Sequence, residues 1–429
     1  MSKIPLIRFR QEKLKNGLDV ILHSDNRVPL VHVTLHYRVG SSYEQPGKSG
    51  LAHLFEHMMF QGSENVGKAE HGRQVDAVGG RWNASTSKDR TNYFETVPSN
   101  ALELALWLEA DRMRSLEITS ENFENQRQTV IEEKKQSYDN RPYGAALLRF
   151  DDLAYENWAY AHPIIGSVDD LRKTSVEDAV TFHRSHYGPD NATLVVAGDI
   201  LEEEALHLVT HHFQNIQLRT DARAPDLDEP RQSEEKLEVV RDELAPLPVL
   251  HLGYHIPVAG SRAHYALSVL SLVLAKGESS RLYRRMIYDN NWVAGLSAGP
   301  NLYRGPQMFI FWFQTQDGVD IQTVQEALEQ ELSRVRDSRI SDQELEKARN
   351  QVLYRSVSSR ATIHGIGEGL AQYMTYFEDP MLINLEMQRY LQVTADEIQT
   401  VAGQFLVPEN RTTIIVEMGT SPTGSKALS

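Results

Sequence analysis

The sequence predicts an α+β protein in which one domain is present twice, each copy built from a sheet with helices packed on it. Two observations carry this prediction. Short segments recur in the same order in both halves of the chain, and in each half β-branched runs follow stretches with helix-start signals. The 429 residues are enough for several domains, and 41% hydrophobic with 24% charged residues is ordinary globular usage.

The clearest repeat joins residues 175–191 to residues 394–410. Each segment opens with Ser or Thr followed three residues later by an acidic residue, which is the pattern of a capping box. Each closes on proline, an acidic residue and asparagine, which is typical of a turn, and a β-branched run follows. Two further pairs match in the same order: 123–131 with 345–353, and 29–37 with 246–254. The chain therefore looks duplicated.

A polar, charged and proline-bearing stretch, residues 218–236, separates the copies, and we interpret it as a linker. The predicted domains are residues 1–217 and 237–429. A short polar turn between the first two predicted strands favours their antiparallel pairing. In the first domain the sequence predicts strands at 18–22, 30–37, 91–97 and 193–196, and helices at 101–115, 121–136 and 176–186.

Composition excludes several functions. The absence of cysteine removes disulfides, thiolate nucleophiles, iron–sulfur clusters and cysteine-based zinc fingers. The net charge of −15 argues against a nucleic-acid-binding surface. The longest nearly apolar stretch, residues 266–275, is too short to span a membrane, and the N-terminus carries no export signal. We expect a cytoplasmic protein that binds neither nucleic acid nor membrane, or a periplasmic one if an export segment was removed.

Residues 50–62, GLAHLFEHMMFQG, contain His-x-x-Glu-His at His53, Glu56 and His57. On a helix the two histidines are four residues apart, so one face can hold a cation between two imidazoles. Glu56 lies at the edge of that face, where it can reach a metal-bound water without being a ligand. This order inverts His-Glu-x-x-His and is a metallopeptidase signature. The alternative is a helix whose histidines make ordinary hydrogen bonds, because five positions can match by chance.

A catalytic zinc takes three protein ligands and keeps one open position, so a third His, Asp or Glu is needed. The candidates are Glu132 and Glu133, which follow an apolar pair on a predicted helix. Neighbouring helical residues lie about 100° apart, so only one of them can face the site, and the helix pattern does not select it. In the second copy Tyr354 and Arg355 take their place, and residues 272–276, opposite the first motif, contain no histidine. Only the first copy carries the metal site.

These segments resemble the M16, or pitrilysin-type, zinc metallopeptidases, which are inverzincins. The similarity is strongest to the short processing-peptidase-like (M16B) members, whose chains contain two homologous α/β-roll domains with mostly antiparallel sheets. It extends over essentially the whole length and is carried by the motif segment, by RWNASTSKDRTNYF at residues 81–94, and by HPIIGSVDDLRKTS and YGPDNATLVVAGDI at the end of the first domain.

The resemblance implies one zinc ion (Zn2+) per chain, held by His53, His57 and Glu133, because the family's third ligand follows the second histidine at the spacing of Glu133. It implies that Glu56 activates the zinc-bound water and passes its proton to the leaving amine. Peptide substrates or unfolded segments would add as a strand along Asn83 and Ala84, bound largely through backbone hydrogen bonds.

Two positions depart from the family pattern. Many members carry a Glu seven residues before the third ligand. Here that residue is Gln126, whose amide can still support a ligand carboxylate. Active members also receive an Arg and a Tyr, seven residues apart, from a second domain pair, and here those positions hold Ile287 and Ala294. The resemblance therefore predicts a heterodimer with a related subunit that lacks the zinc motif and supplies the Arg/Tyr pair. The alternative is an alignment that is off by a few residues, although the spacing of the neighbouring Arg284, Arg285 and Tyr288 does not fit the pair.

Two other functions stay open. Relatives of this fold serve as non-catalytic core subunits of respiratory assemblies, although a retained general base at Glu56 argues against that role. A presequence-processing peptidase would differ only in its substrate.

Three weaker patterns are interpreted as structural. His32 and His36 share one face of a predicted strand without a visible carboxylate partner, and we expect hydrogen-bonded surface residues. Residues 40–49 end like a phosphate-binding loop, but the glycines are spaced wrongly for nucleotide binding. The three alternating glycines within residues 365–369 indicate a flexible start of a helix.

Overall fold

Two mixed sheets organise the residues that the computed structural model describes, 5–217 and 223–419. The first has the strand order β1-β2-β6-β3-β5-β4, and the second has the order β7-β11-β8-β10-β9. The strands are β1 Arg10–Lys13, β2 Asp19–Ser24, β3 Leu30–Tyr37, β4 Arg81–Thr86, β5 Thr91–Pro98, β6 Ala192–Gly198, β7 Lys236–Asp242, β8 Val249–Ile256, β9 Val293–Pro300, β10 Gln307–Thr315 and β11 Arg411–Met418.

The second sheet repeats the last five positions of the first. In both, one neighbouring pair is parallel, β2 with β6 and β7 with β11, and all the other pairs are antiparallel. The predicted α+β class, with duplicated and mostly antiparallel sheets, is confirmed.

The helices of the first half are α1 Leu51–Met58, α2 Glu70–Ala77, α3 Leu102–Ser115, α4 Ser120–Lys134, α5 Gly144–Ala154, α6 Trp158–Ala161, α7 Val168–Lys173, α8 Val176–His186 and α9 Glu202–Phe213. Those of the second half are α10 Arg262–Ala275, α11 Arg281–Tyr283, α12 Ile321–Asp337, α13 Asp342–Ser359, α14 Ile363–Phe377, α15 Leu382–Leu391 and α16 Ala395–Phe405. Among the described residues, no helix combines the length and the apolar character needed to cross a lipid bilayer.

The seven elements predicted in the first half are all present, with ends shifted by at most two residues. Both predicted capping boxes are confirmed, at Ser175 before α8 and at Thr394 before α16. The predicted pairing of the first two strands is wrong, because β6 lies between β2 and β3. Every residue of β6 is buried, and such an apolar strand is most stable in the middle of a sheet.

Each sheet is completed by a helix from the other half of the chain. On the first sheet, Ile21 of β2 and Val195 of β6 pack against Ile366 and Leu370 of α14. On the second sheet, Phe150 of α5 packs in the same way into a cluster with residues of β8, β10 and β11. On the other face of the second sheet, helices α10, α12 and α16 share a core with Leu250, Leu252 and Tyr254 of β8, since side chains alternate along a strand.

Each compact unit of the structure contains segments from both halves of the chain. The first unit consists of residues 1–131, 162–226 and 354–387, and the second of residues 132–161, 227–353 and 388–429. They are therefore not the continuous segments 1–217 and 237–429, and those limits stay a prediction about the duplication. Of the predicted linker, residues 218–222 lie outside the described residues, and residues 223–235 contain no helix or strand.

The glycines of residues 365–369 lie in the first two turns of α14, so the predicted helix start is confirmed and its flexibility stays a prediction. Gly367 is buried, and a Cβ atom at this position would lie 2.5 Å from Cδ2 of His32 on β3. A residue without a side chain is therefore needed where the helix approaches the sheet.

We expect Gly367→Ala to destabilise the protein by about 1–2 kcal/mol, because overpacking against a fully buried ring outweighs the gain in helix propensity. Gly403 of α16 is the matched control: it is helical and exposed, and no atom lies within 4 Å of its Cβ position. Thermal unfolding should show a lower melting temperature for Gly367→Ala and a slightly higher one for Gly403→Ala. Equal shifts in the same direction would contradict the close packing at Gly367.

Candidate metal centre

Helix α1 carries the His-x-x-Glu-His motif and buries an apolar face formed by Leu51, Leu54, Phe55 and Met58. Their spacing is that of one helical stripe, so hydrophobic burial fixes the rotation of the helix about its axis. The three polar residues of the motif are half-buried on the remaining face.

Glu44 holds the start of α1. The N-cap residue Gly50 has φ 92° and offers no side chain to cap the helix. The two carboxylate oxygens of Glu44 accept hydrogen bonds from the N–H groups of Gly50 and Ala52, each at 2.7 Å, and His162 Nε2 lies 3.1 Å from one of them. A carboxylate here satisfies free N–H groups at the positive end of the helix dipole. Glu44 was not predicted as a site residue, because the only sequence pattern at residues 40–49 is an imperfect phosphate-binding loop.

The motif histidines and Glu133 approach one another closely. The ring centroids of His53 and His57 are 5.0 Å apart, and their planes are inclined by 74°. One ligand atom from each of His53, His57 and Glu133 lies within 4.8 Å of the other two. All three residues are half-buried, which agrees with the open fourth position that a catalytic zinc keeps for water and substrate.

Helix α4 places Glu132 and Glu133, the two candidates for the third ligand, in different environments. Its buried face includes Gln126 and Val130, and Glu133 extends that face by one further turn. Glu132 is exposed and pairs with Lys135 Nζ at 2.6 Å. Helix α4 runs unbroken from Ser120 to Lys134, so Glu133 belongs to the same helix as Gln126 and Val130. Gln126 lies two turns before Glu133, and its supporting role stays a prediction.

A buried tyrosine on the first sheet makes a hydrogen bond to the backbone of α1. Tyr93 of β5 donates its hydroxyl hydrogen to the carbonyl oxygen of Phe55, between the two histidines, at 3.0 Å. Burial raises the pKa of Tyr93 well above its ordinary value, so the phenol stays a neutral donor. The guanidinium of Arg112 lies 4.3 Å from the centre of the same ring.

Arg112 belongs to a buried polar group with Glu109, Glu95 and His71. Its Nε donates to Glu109 at 3.0 Å, and its Nη2 bonds to the other oxygen of that carboxylate. Burial and the neighbouring Glu109 raise the pKa of Glu95 well above its ordinary value. The two carboxyl groups and His71 are close enough to hold a metal, but Arg112 already supplies the positive charge. We therefore interpret this group as structural support beneath α1.

Asn83 and Ala84 lie on β4, the edge strand of the first sheet, against which α1 packs. The N–H of Ala84 donates to Oδ1 of Asn83 at 2.9 Å, so the backbone groups of Ala84 point away from β5. The alternation of an antiparallel ladder directs those of Trp82 and Thr86 to the same side. The structure therefore places both predicted substrate residues on an edge beside the motif helix.

In the second sheet, α10 takes the place of α1 and packs against the edge strand β9. Ile287 packs against the second core, and Ala294 is exposed on β9. Of the neighbouring residues considered for a shifted register, Arg284 and Tyr288 are exposed and Arg285 is half-buried. The second unit thus presents an Arg and a Tyr four residues apart, not seven.

The expectation that His32 and His36 lie on the surface is wrong. They are 0% and 1% exposed, because α14 covers this face of β3. Their Nε2 atoms lie 3.2 Å from the two carboxylate oxygens of Glu368, a partner more than 330 residues away in sequence. Burial lowers the pKa of both histidines. Burial by itself raises the pKa of Glu368, but its hydrogen bonds with the two histidines lower that pKa more, so it lies below its ordinary value.

Family models match both halves of the chain. Residues 19–167 match the model described as insulinase (peptidase family M16), and residues 173–352 match the model described as peptidase M16 inactive domain. The half described as inactive is thus the one without the His-x-x-Glu-His motif.

The chain is 29% identical over 409 residues to the zinc protease PqqE of Helicobacter pylori, covering 94% of this chain and 91% of the relative. It is 25% identical over 338 residues to the uncharacterized zinc protease YmxG of Bacillus subtilis, covering 79% and 81%. A crystal structure of a protease from Helicobacter pylori matches with a TM-score of 0.92 at 27% identity, over 96% of this chain and 100% of that one. The periplasmic protease PqqL of Escherichia coli shares the fold, with a TM-score of 0.79 at 19% identity, over 99% of this chain and 49% of that one.

Proposed function

Because the chain belongs to peptidase family M16, we propose that it is a zinc-dependent endopeptidase subunit that hydrolyses peptide bonds in peptides or unfolded segments. The observation that carries the proposal is the approach of His53, His57 and Glu133 to within 4.8 Å of one another, with Glu56 on the same helix. Relatives over most of the chain that are named zinc proteases support it.

The three residues fit a zinc ion. Two imidazoles and one carboxylate, without cysteine, are a known donor set of catalytic zinc sites. Each side chain comes from a position that packing fixes, since α1 and α4 both bury an apolar face. Zinc bound here would polarise the scissile carbonyl and bring the pKa of its water to about 7.

Glu56 acts as the general base in this proposal. It precedes His57 by one residue and is half-buried on the motif face, so its carboxylate can take a proton from the attacking water. The same carboxyl then gives the proton to the nitrogen of the leaving amine. Glu44 accepts hydrogen bonds from backbone N–H groups at the start of α1, and Tyr93 donates one to a carbonyl of α1. Together they hold Glu56 and the histidines in one orientation.

The substrate binds as an added strand along β4. The outward N–H and C=O groups of Trp82, Ala84 and Thr86 can form backbone hydrogen bonds with a substrate strand, and these bonds do not depend on the substrate's side chains. An incoming strand has to replace the hydrogen bond between Asn83 Oδ1 and the N–H of Ala84. The rotated Asn83 amide is then free to bond to the substrate backbone.

A partner subunit completes the site in our proposal. Ile287 is packed into the second core and Ala294 ends at its methyl group, so neither can hold a substrate carbonyl near the zinc. We propose that a related M16 chain without the zinc motif supplies an Arg and a Tyr. The alternative is a pair of identical chains in which Arg284 and Tyr288 serve instead.

The test is hydrolysis of fluorogenic peptides by the zinc-loaded chain alone, with Glu56→Gln as the blank. We expect little activity alone and strong activation by a related chain that lacks the motif. If the chain alone is active and Arg284→Ala and Tyr288→Ala abolish this activity, the active form is a pair of identical chains and not the proposed heterodimer. Bound zinc without hydrolysis under any pairing would favour the non-catalytic assembly subunit. A substrate restricted to presequences would identify a processing peptidase. The cytoplasmic location stays a prediction.

A further inference from the structure

A second group of metal-ligand residues lies on the other face of the first sheet. His32 of β3 meets His364 and Glu368, which are four residues apart on α14. One ligand atom from each lies within 4.8 Å of the other two. All three residues belong to the first compact unit, and none belongs to the His-x-x-Glu-His centre.

The spacing of these atoms suits a divalent ion. In tetrahedral zinc sites with bonds of about 2.0–2.1 Å, neighbouring donor atoms are about 3.3 Å apart. Nε2 of His32 and Oε1 of Glu368 are 3.2 Å apart. The ring of His364 stands edge-on to that of His32 with centroids 4.7 Å apart, and it is exposed, so a side-chain rotation can bring its nitrogen to the same point. The exposure of His364 also provides a path from solvent.

The surrounding residues support these ligands as outer-shell partners do in metal sites. Thr96 Oγ1 lies 2.9 Å from Nδ1 of His32, and a hydroxyl can accept from that nitrogen when Nε2 gives its lone pair to a metal. The second oxygen of Glu368 is held by His36 Nε2 at 3.2 Å and by Asn92 Nδ2 at 2.9 Å, which leaves Oε1 for the ion. His32 itself is fully buried, so its ring cannot turn away.

We infer that His32, His364 and Glu368 bind a structural zinc ion that fastens helix α14 to strand β3. The ion would join two ligands of a helix from the second half to one ligand of a strand from the first half. Its position explains why the sheet face around His32 is polar although it is covered. The catalytic proposal does not depend on this site.

The experiment is equilibrium dialysis of the untagged chain against zinc, in a parent variant whose catalytic ligands are removed by His53→Gln and His57→Gln. We expect the parent to bind one zinc per chain. Adding His364→Gln should weaken this binding at least tenfold, because one of three ligands is lost. His364 is exposed, so this change does not disturb the core. Binding of Co2+ to the parent should give a visible ligand-field spectrum that the added change removes.

His207 of α9 is the matched control. It is exposed and lies four residues after Glu203, so the two form a His/Glu pair with the same helical separation as His364 and Glu368. Among the described residues, no third ligand lies close to this pair. His207→Gln in the same parent should leave one zinc bound. A parent that binds no zinc, or one that keeps its zinc after His364→Gln, would overturn the inference, and melting curves would verify that each variant is folded.

Discussion

Glu56→Gln is expected to lower kcat by about 10²–10⁴-fold while the zinc content stays that of the wild type. The size follows from the loss of general acid–base catalysis, because an amide cannot take a proton from the attacking water. The ligand set is untouched, since Glu56 lies outside the group formed by His53, His57 and Glu133. Zinc should be measured by elemental analysis and kcat by peptide hydrolysis on the same preparation.

Glu56→Asp refines this test. It keeps the carboxylate but withdraws it by one methylene, so we expect activity between that of the wild type and that of the Gln variant. If Glu56→Gln instead lost its zinc, Glu56 would be a ligand, and the proposed division of roles along α1 would be wrong.

Glu133→Gln and Glu132→Gln form the second test, with neighbouring residues of the same type and opposite expected results. Removing the Glu133 carboxylate should lower the zinc content by one ion per chain. It should weaken zinc affinity by more than the roughly 10–100-fold that the loss of an outer-shell partner costs. Peptide hydrolysis should fall with the zinc. Glu132→Gln removes only the exposed pair with Lys135, so zinc content and activity should stay at wild-type values.

The two variants carry the same change in charge on the same helix, so general electrostatic effects cancel between them. Loss of zinc from Glu132→Gln with retention in Glu133→Gln would reverse the assignment. Equal losses would indicate that α4 as a whole, and not one carboxylate, responds to the substitution.

What could be predicted from the sequence was local. The motif at His53, Glu56 and His57 needs only helical spacing, and each capping box needs only two residues at a separation of three. The helix pattern alone could not decide between Glu132 and Glu133 as the third ligand, because the answer depends on which side of α4 packs against the core. The resemblance to a family selected Glu133, and the exposed pair of Glu132 with Lys135 agrees with that choice.

What could not be predicted depends on distant partners. A polar strand face usually indicates solvent, and His32 and His36 were interpreted in that way. Their partner Glu368 lies more than 330 residues later on a helix that no local pattern assigns to the first sheet. The insertion of β6 between β2 and β3 and the buried position of Gly367 have the same cause.

The exchange of α5 and α14 between the two halves affects how the protein is made. When the first half leaves the ribosome, the sheet face with Ile21 and Val195 lacks the helix α14 that covers it, and α5 has no sheet to cover. The first sheet receives its missing layer only after residues 363–377 have been synthesised. Bare apolar strands during that interval favour aggregation and create a need for chaperones. The two halves, expressed separately, should therefore be insoluble, and co-expression should rescue both.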